Sequence, residues 1–486
     1  MSANQQVEHK RIGRLLVAYC NASNYVSTTA EYLDSISRYS GFEVAYVHVT
    51  NGAELDFDLN AFDAIFHSYC ARLPFDNHLS PDYLRKLKAF RGVKLLAVQD
   101  EYDRTGQLRR AMQDIGFHAV LTCVPPAMLE HIYPREMFPE TEFVGVLTGY
   151  VPENPELRGQ SIRSLRDRPM VVGYRGRDIG GRYGRLAFEK LEIGRRMREI
   201  CAERGIPHDI EWTDDKRLYG AAWYEFIGSC RANLGSESGS NVFDFDGAIE
   251  AKYKELKAAR GGPVSYEEFR VYTDPIETRY DMGQVSPRVF EAAALRTPMI
   301  LFTGRYSGLI QPDEHYIELK KDFSNIDSVL SRLDDLESLE AMADRAYDRL
   351  VGSGEFSYQQ FVELIDRTVL RKAGELGVPL RLPQAASGHG NFDPATFTSL
   401  RERPTDAPQH FALFKCKQLA HENRVLREEI ARLDRVYTAE IARLNGIILH
   451  IREHAFRTCG RQTAKAALAV FGGRHVRRLF QKTRGI

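Results

Sequence analysis

The sequence predicts an α/β protein of two consecutive domains, each a doubly wound parallel sheet with helices on both faces. Short apolar runs alternate with helical patterns from residue 13 onward, and the alternation restarts after an arginine-rich polar stretch at 156–168. Hydrophobic residues make up 43% of the 486 residues, which is enough to fill full cores. Strand–helix alternation of this kind builds parallel sheets that are covered on both faces.

The first domain is predicted to span residues 1–155. Six runs rich in Val, Leu, Ile and aromatic residues are too short to be core helices, so they are predicted as strands. These runs are 13–20, 43–49, 62–69, 93–99, 118–124 and 142–148. The helix-like stretches between them include 25–39, 80–90 and 105–115. The second of these stretches opens with Ser80-Pro81, a capping residue followed by a first-turn proline.

The second domain is predicted to span residues 156–376. Its predicted strands are 169–174, 209–212, 230–235 and 298–303. Its predicted helices are 186–204, 220–229, 287–296 and 323–351, followed by a last helix over 355–373. A polar segment at about 241–280 interrupts this second unit.

Two segments that follow the second domain are predicted to be a linker and a coiled coil. Residues 377–410 hold five prolines and no periodicity, so they are interpreted as the linker. Residues 411–455 carry a narrow apolar stripe that steps by three and four. Asn423 stands in step with Ile430 and Tyr437, and a polar Asn at such a site specifies register in two-stranded coils. A homodimer is therefore predicted, with a helix folded back on the chain as the alternative.

The last segment, residues 456–486, is a basic amphipathic tail. It holds eight Lys and Arg residues, no acidic residue, and apolar residues such as Phe471 and Leu479. Anionic headgroups attract a segment of this kind. The tail is predicted to bind an anionic membrane surface peripherally, on the inner face of the cell membrane. A disordered basic tail and RNA binding are the alternatives.

Composition excludes several classes of protein. Lys plus Arg and Asp plus Glu are both 66, so the zero net charge predicts no nucleic-acid partner for the protein as a whole. The seven cysteines are scattered and never spaced CxxC, which argues against a disulfide framework or a structural zinc site. The N-terminus has no apolar signal region, and no window reaches about 18 uninterrupted apolar residues. A cytoplasmic protein is expected.

The most informative motif is the segment 286–319, which predicts a helix, a buried strand and a glycine-punctuated loop. Ser286 and free backbone N–H groups at the helix start can bind a phosphate, and Arg288 can add a forked contact. Glu291 lies about one turn further along, within reach of a ribose diol. An ordinary capped helix with a solvated Arg–Glu pair is the alternative.

This segment resembles the nucleotide-sugar-binding signature of GT-B glycosyltransferases, particularly the retaining enzymes of glycosyl transferases group 1. The family pattern R-x-F-E-A-x-A-x-G-x-P is matched by Arg288, Phe290, Glu291, Ala292, Ala294 and Pro298, and Gly308, Pro312, Glu314 and His315 resemble a second turn of the same enzymes. The resemblance covers about 169–350 and the first domain by architecture. It implies two Rossmann-like domains, with the 355–373 helix crossing back to the first.

Two departures from the family pattern affect the residue assignments. The family's first glutamate stands eight positions before the second, where this chain has Gly283. Glu237, which follows a predicted strand, is the nearest match in context, and this makes 241–280 an insertion between the two halves of the motif. Arg296 replaces the small residue that usually precedes x-P.

A second constellation lies in the glycine- and arginine-rich segment 171–190. Glycines such as Gly173 let a backbone approach a diphosphate closely, and arginines offer forked donors to its oxygens. The resemblance implies that an Arg and a Lys here neutralise the leaving diphosphate. Arg175 or Arg177 is predicted for the first part, and Arg185 or Lys190 for the second. A flexible basic loop is the alternative.

Loops at the predicted strand ends of the first domain should open on the same cleft. Asp100 or Glu101 is predicted to accept a proton from an acceptor hydroxyl, with His67 as the alternative. The aspartates of 241–247 could form a metal site, but the resemblance implies protein cations and no required metal or other cofactor.

The sequence therefore predicts a glycosyltransferase that moves a sugar from a nucleotide-diphosphate sugar to a glycan or lipid-linked acceptor in surface polysaccharide biosynthesis, with retention of configuration. Catalysis would be mainly electrostatic. A catalytically inactive assembly protein that docks biosynthetic enzymes at the membrane is the alternative, and a sugar epimerase on the same fold is a third. The nucleotide, the sugar, the acceptor and the linkage are left open.

Overall fold

The computed structural model describes residues 12–23, 26–50, 53–75 and 78–381. The strands in these ranges are β1 (Arg14–Tyr19), β2 (Glu43–His48), β3 (Ala64–His67), β4 (Val93–Ala97), β5 (Ala119–Thr122), β6 (Glu142–Gly145), β7 (Met170–Arg175), β8 (His208–Glu211), β9 (Cys230–Gly235), β10 (Met299–Phe302) and β11 (Ile317–Leu319).

The α-helices in the same ranges alternate with these strands. They are α1 (Ser27–Tyr39), α2 (Pro81–Ala89), α3 (Thr105–Ile115), α4 (Leu129–Ile132), α5 (Pro155–Arg158), α6 (Gly184–Glu203), α7 (Ala221–Ser229), α8 (Ala248–Arg260), α9 (Tyr266–Glu277), α10 (Pro287–Ala294), α11 (Ile326–Ser331), α12 (Leu336–Tyr347) and α13 (Tyr358–Leu376). Capping residues in the sequence set the ends of several of these helices. The Ser80 side chain accepts a hydrogen bond from the Tyr83 N–H at the start of α2, and Gly116, with φ 71°, ends α3.

The described strands form two parallel sheets with the same kind of topology. The first sheet has the order β2-β1-β3-β4-β5-β6, and the second has the order β11-β10-β9-β7-β8. In each sheet the strand order reverses between the first and third strands of the domain. Such a reversal leaves a crevice at the carboxyl ends of those strands, where doubly wound folds bind ligands. The crevices lie at β1 and β3 in the first sheet, and at β7 and β9 in the second.

Alternate strand residues fill the cores on the two faces of each sheet. In β1, Leu16 faces the core built with α2 and α3, whereas Leu15 and Val17 face the core built with α1 and α13. In β10, Ile300 packs with α6, α11 and α12, and Leu301 packs with α7 and α10. Each fully buried side chain of this size contributes about 1.5–3 kcal/mol relative to an exposed one.

The helix α13 belongs to the core of the first domain although it follows the second domain in sequence. Phe361, Val362, Ile365 and Val369 on one face of α13 are buried in the same cluster as Leu15. Two Rossmann-like domains with a last described helix packed back on the first form the GT-B fold that the sequence predicts. The predicted fold class is therefore confirmed for the described residues.

The segment 241–280 differs from its sequence-based description as a polar interruption. It contains α8 and α9, and Phe243 in this segment and Met282 just after it are buried in the core of the first domain. The guanidinium of Arg104 in the first domain binds Glu250 of α8 through two hydrogen bonds of 3.1 and 3.2 Å. Because these contacts are distant in sequence, no local periodicity indicated that the segment joins the two domains.

Two further differences between the predicted and observed elements lie in the last part of the second domain, within residues 317–351. The predicted helix 323–351 is divided into α11 and α12, since the Asp335 side chain caps the start of α12 by accepting a hydrogen bond from the Ser338 N–H. The strand β11 was not predicted, because three residues at a sheet edge are too short to show a period of two.

Several predictions concern the C-terminal part of the chain. The linker beyond residue 381, the coiled coil at 411–455 and the basic tail at 456–486 lie outside the described residues. Within the described ranges, none of the helices combines the length and the apolar character that a membrane span needs.

Candidate binding cleft

A pocket of about 320 Å³ opens at the crevice of the second sheet, where β7 and β9 end. We call it the cationic pocket. Its cationic lining residues are Arg175, Arg177, Lys190, Arg217 and Arg288. The other lining residues are Val26, Ser27, Thr28, Tyr174, Gly176, Leu218, Tyr219, Gly220, Trp223, Tyr224, Ser236, Ser286 and Glu291. Residues 26–28 belong to the first domain, so both domains form its wall.

Three helices begin at the cationic pocket. The residues that precede α1, α7 and α10 are Val26, Gly220 and Ser286, and all three line the pocket. None of the three makes a side-chain capping hydrogen bond, and Pro287 stands at the first turn of α10. Helix N-termini carry partial positive charge and free N–H groups, which favour anions. The three ends therefore add to the positive potential of the arginines and the lysine.

Lys190 places an ammonium group in this pocket from the second turn of α6. Burial lowers its pKa to about 8. No carboxylate of the described residues forms an ion pair with it; its electrostatic neighbours are Asp100, which raises the pKa, and Arg288, which lowers it. A cation that is partly removed from water without a paired anion is unfavourable in the free protein. An anionic ligand would offset this desolvation cost of the Lys190 ammonium group.

Arg288 lies in the first turn of α10, with its guanidinium over two aromatic rings. The ring centroids of Tyr174 and Trp223 are 5.0 and 5.5 Å from its central carbon. One terminal nitrogen donates to the carbonyl oxygen of Arg175 at 2.7 Å, and its Nε is buried with no hydrogen-bond partner among the described residues. The guanidinium therefore has an unsatisfied donor in the free protein, close to the N-terminus of α10.

Glu291 lies one turn further along α10 and is only 5% exposed. Its Oε2 accepts a hydrogen bond of 3.0 Å from the indole N–H of Trp223. Burial raises the pKa of Glu291 to about 7, against the lowering effects of the Trp223 hydrogen bond and of Arg288, while Glu31 raises it further. Near neutral pH this carboxyl group therefore exists in both protonation states.

A second pocket, of about 180 Å³, adjoins the first and shares Thr28 and Glu291 with it. We call it the tyrosine-rich pocket. Its lining residues include Thr29, Glu31, Tyr32, Tyr69, Gln99, Thr148, Tyr150, Pro287 and Tyr358.

Polar groups of the tyrosine-rich pocket are held by hydrogen bonds. The hydroxyl groups of Tyr69 and Thr29 are 3.1 Å apart, and the carboxylate of Glu31 accepts from the Asn154 amide at 2.9 Å. Burial raises the pKa of Glu31 as well. Two carboxyl groups from different domains, Glu31 and Glu291, therefore line one small cavity next to the cationic pocket.

The structure brings six of the sequence-predicted site residues to the cationic pocket. Ser286, Arg288, Glu291, Lys190, Arg177 and Arg175 all line it. Arg175 is also engaged elsewhere, because its guanidinium binds the Asp209 carboxylate at 2.7 Å and the carbonyl oxygen of Lys216 at 3.1 Å. Arg177 is exposed at the rim.

Three other predicted donor-site residues lie outside the lining of both pockets. Gly173 is buried in β7, where an added Cβ would collide with Cys230, so packing alone requires a glycine there. Arg185 is the second residue of α6, where its backbone N–H donates to the Glu277 carboxylate and its side chain binds Tyr266. The Oε1 of Glu237 accepts the Arg305 N–H at 2.6 Å, so this carboxylate supports a loop.

The residues predicted to act on the acceptor are not among the lining residues of either pocket, although Asp100 is an electrostatic neighbour of Lys190. Asp100 is exposed, and its carboxylate accepts from the Tyr102 hydroxyl at 2.8 Å. Glu101 is fully buried in the first domain, where its Oε1 accepts from Thr122 at 2.5 Å and from the Cys123 N–H at 3.0 Å. Burial raises the pKa of Glu101.

The sequence left two alternatives open, His67 and the aspartates of 241–247. The structure shows these side chains hydrogen-bonded to other groups of the protein. His67 is buried between the Tyr83 hydroxyl at 2.9 Å and the Ala71 carbonyl at 2.6 Å, and burial lowers its pKa to about 4. Asp244 and Asp246 accept backbone N–H groups at the start of α8. In the part of the chain that the structure describes, no group of three or more His, Cys, Asp or Glu side chains could hold a metal ion.

Sequence reasoning missed Trp223, Arg217 and Glu31. The first two lie in and before α7, after β8, at a strand–helix junction on the same edge of the sheet as the predicted motifs. Their position after a strand of the second sheet was the sequence signal that could have identified Trp223 and Arg217. Glu31 lies inside α1 and carries no signal, since a single acidic residue on a helix is usually solvated.

No family model matches the chain, and no curated protein matches it. Among solved structures, the chain is similar to an alpha-glucosyltransferase in complex with UDP and a 13-mer DNA containing an HMU base, with a TM-score of 0.45, 10% identity, and coverage of 74% of this chain and 100% of that one. For sucrose-phosphate synthase from Thermosynechococcus elongatus the values are 0.41, 11%, 75% and 100%. For TarM they are 0.30, 10%, 64% and 54%, so the chain spans about half of the length of TarM.

Proposed function

We propose that the protein is a glycosyltransferase that binds a nucleotide-diphosphate sugar in the cationic pocket. The observation that carries the proposal is the partly buried ammonium group of Lys190, which has no carboxylate ion-pair partner among the described residues and lies beside Arg288 at a pocket where three helices begin. Such a pocket suits a diphosphate, which brings several negative charges at short spacing. Glu291, in the wall shared with the tyrosine-rich pocket, can accept hydrogen bonds from a ribose.

The proposed catalysis is electrostatic. As the bond between the anomeric carbon and the diphosphate oxygen breaks, negative charge grows on the leaving diphosphate. Lys190, Arg288 and the N-terminus of α10 would stabilise this charge because they are already oriented around the pocket. The exposed Arg177 can add a further donor at the rim. The mechanism needs no metal ion, since protein cations supply the positive charge.

The acceptor hydroxyl is proposed to enter through the tyrosine-rich pocket. Thr28, Glu31 and Tyr69 there offer hydrogen-bonding groups beside the cationic pocket. The residue resemblance of 286–319 supports transfer with retention of configuration. A glycan or lipid-linked acceptor in surface polysaccharide biosynthesis is proposed together with this donor site. Dimerisation through 411–455 and membrane binding through 456–486 remain proposals from sequence.

A thermal-shift screen of the full chain with UDP, GDP, dTDP and CMP sugars tests the proposal. A true donor at 100 times its Kd should raise the free energy of unfolding by ~2.7 kcal/mol. The stabilised donor is then incubated with candidate glycan acceptors, and release of the nucleoside diphosphate is measured. If none of the sugar nucleotides stabilises the protein, the assignment is wrong. Binding without any turnover would instead support the inactive assembly protein.

A further inference from the structure

Glu291 and Trp223 come from different helices and meet in the cationic pocket. Glu291 is on α10 and Trp223 is on α7, 68 positions apart in the chain. Among the described residues, the indole N–H of Trp223 is the hydrogen-bond donor that reaches the Glu291 carboxylate, at 3.0 Å. Both side chains line the cationic pocket, so the contact lies at the ligand site rather than in the core behind it.

The indole of Trp223 is itself held in place from two sides. It stacks on Phe226 of the same helix, with ring centroids 5.9 Å apart and an interplanar angle of 25°. The guanidinium of Arg288, which is on α10, lies 5.5 Å from the centre of the indole ring. Stacking and cation–π contacts of this kind restrict the ring orientation. The N–H therefore points at Glu291 before any ligand arrives.

We propose that Trp223 is a positioning residue that aims the Glu291 carboxylate at the ribose hydroxyl groups of the bound nucleotide. The inference rests on the proposed function, because it takes the ligand to be a ribonucleoside diphosphate. By occupying Oε2, the indole leaves Oε1 to accept from the ligand. It also favours the ionised carboxylate, which accepts stronger hydrogen bonds than a neutral carboxylic acid.

The charged and titratable groups that face Glu291 set the expected pH effect. Arg288 on α10 and Trp223 on α7 lower its pKa, and Glu31 on α1 raises it. Tyr224 on α7 and Tyr358 on α13 also interact electrostatically with it. Loss of the indole N–H removes one of the two groups that lower the pKa. More of the carboxyl group is then protonated near pH 7, and ribose binding should require a higher pH.

The test compares Trp223→Phe with Trp212→Phe, which changes the other of the two tryptophans in the chain. Trp212 packs against Arg198 and does not line the cationic pocket, so its variant is a matched control. Phenylalanine at 223 keeps an aromatic ring for Phe226 and Arg288 but has no N–H donor. Calorimetry of the full chain would measure the affinities for UDP, GDP, ADP and CDP, and for inorganic pyrophosphate, at about pH 6, 7 and 8.

We expect Trp223→Phe to weaken the tightest ribonucleoside diphosphate by about tenfold at pH 7, with a smaller loss at pH 8. Pyrophosphate affinity should stay unchanged, since pyrophosphate lacks the ribose. In a Glu291→Gln background, Trp223→Phe should no longer alter the pH dependence. Trp212→Phe should resemble the wild type in every measurement.

The outcomes separate the inference from the function on which it rests. An unchanged nucleotide affinity and pH profile in Trp223→Phe would overturn the positioning role, as would an equal loss for pyrophosphate, which indicates general damage to the pocket. If Trp223→Phe fails to fold, the Glu291→Gln variant decides: unchanged affinity and pH dependence in that variant would refute the role. If the wild type binds neither pyrophosphate nor any of the nucleotides, the proposed function itself is wrong.

Discussion

Replacing Lys190 with methionine should change stability and ligand binding in opposite directions. Burial brings the pKa of Lys190 from an ordinary 10.5 down to about 8, so the folded protein holds the charged ammonium at an energetic disadvantage. Methionine has a similar length and no charge. The Lys190→Met variant should therefore be more stable than the wild type when no ligand is bound, and it should bind a diphosphate more weakly.

The magnitude follows from the two pKa values. A fall from 10.5 to about 8 corresponds to at most ~3.4 kcal/mol, and partial exposure of the side chain through the pocket makes the real gain smaller. Because the folded-state pKa is lowered, the wild type regains stability as the pH rises from about 8 to 10.5. The advantage of Lys190→Met should be full near pH 7 and should shrink toward pH 10.

Ligand binding should respond with the opposite sign. The ammonium group would donate charge-assisted hydrogen bonds to a diphosphate, each of which is worth about 1.5–3 kcal/mol. Lys190→Met should therefore weaken nucleoside diphosphate or pyrophosphate binding by roughly 10- to 150-fold.

Urea unfolding at about pH 7 and about pH 10 measures the first effect, and isothermal titration calorimetry measures the second. Lys257→Met is the matched control, since Lys257 is an exposed lysine on α8 outside the pocket lining. This control should change neither quantity appreciably. A Lys190→Met protein that is destabilised at pH 7, or that binds pyrophosphate as tightly as the wild type, would refute the reasoning.

Three further predictions follow from other contacts. Glu291→Gln should match the wild type in stability near pH 4 and exceed it by roughly 3 kcal/mol above pH 7, as measured by urea unfolding. The reason is that folding raises the pKa of Glu291 from 4.5 to about 7, so the wild type loses stability as the pH rises through that range. Gly106→Ala should lower the unfolding temperature and increase hydrogen exchange in 241–283, since its Cβ would collide with the Phe245 carbonyl; Gly228→Ala, which meets nothing within 4 Å, should do neither. Arg185→Ala should leave nucleoside diphosphate affinity within about twofold of the wild type in calorimetry, because the Arg185 side chain contacts Tyr266 and does not line the pocket. A tenfold loss of affinity would show instead that Arg185 contacts the ligand.

The sequence determined the local features of the fold. The apolar runs around β1 to β10 fixed which segments are strands, and their alternation with helical patterns gave the doubly wound topology. Ser80 and Pro81 gave the start of α2. These signals depend on residues within one or two turns of each other, where backbone geometry and side-chain period act directly.

The same locality explains which parts of the site could be predicted. Ser286, Arg288, Glu291 and Lys190 lie just before a helix or within its first two turns, close to a strand–helix junction. The position of the junction therefore brings them to the cleft. Glu101 also follows a strand, but its side chain is buried against Thr122 on the neighbouring strand. A residue a few positions beyond a strand, as Glu101 is beyond β4, can face the cleft or the core, and sequence position alone does not distinguish the two.

Only the tertiary structure decided the contacts between distant segments. It placed Trp223 against Glu291, Glu31 of the first domain beside the same cavity, and Phe243 in a core that belongs to the other domain. The energy of such contacts depends on burial and on the direction of each donor, and both arise when elements far apart in the chain pack together. A polar-looking segment such as 241–280 therefore acquires its role from the surface on which it packs, because one or two buried aromatic side chains outweigh a hydrophilic average.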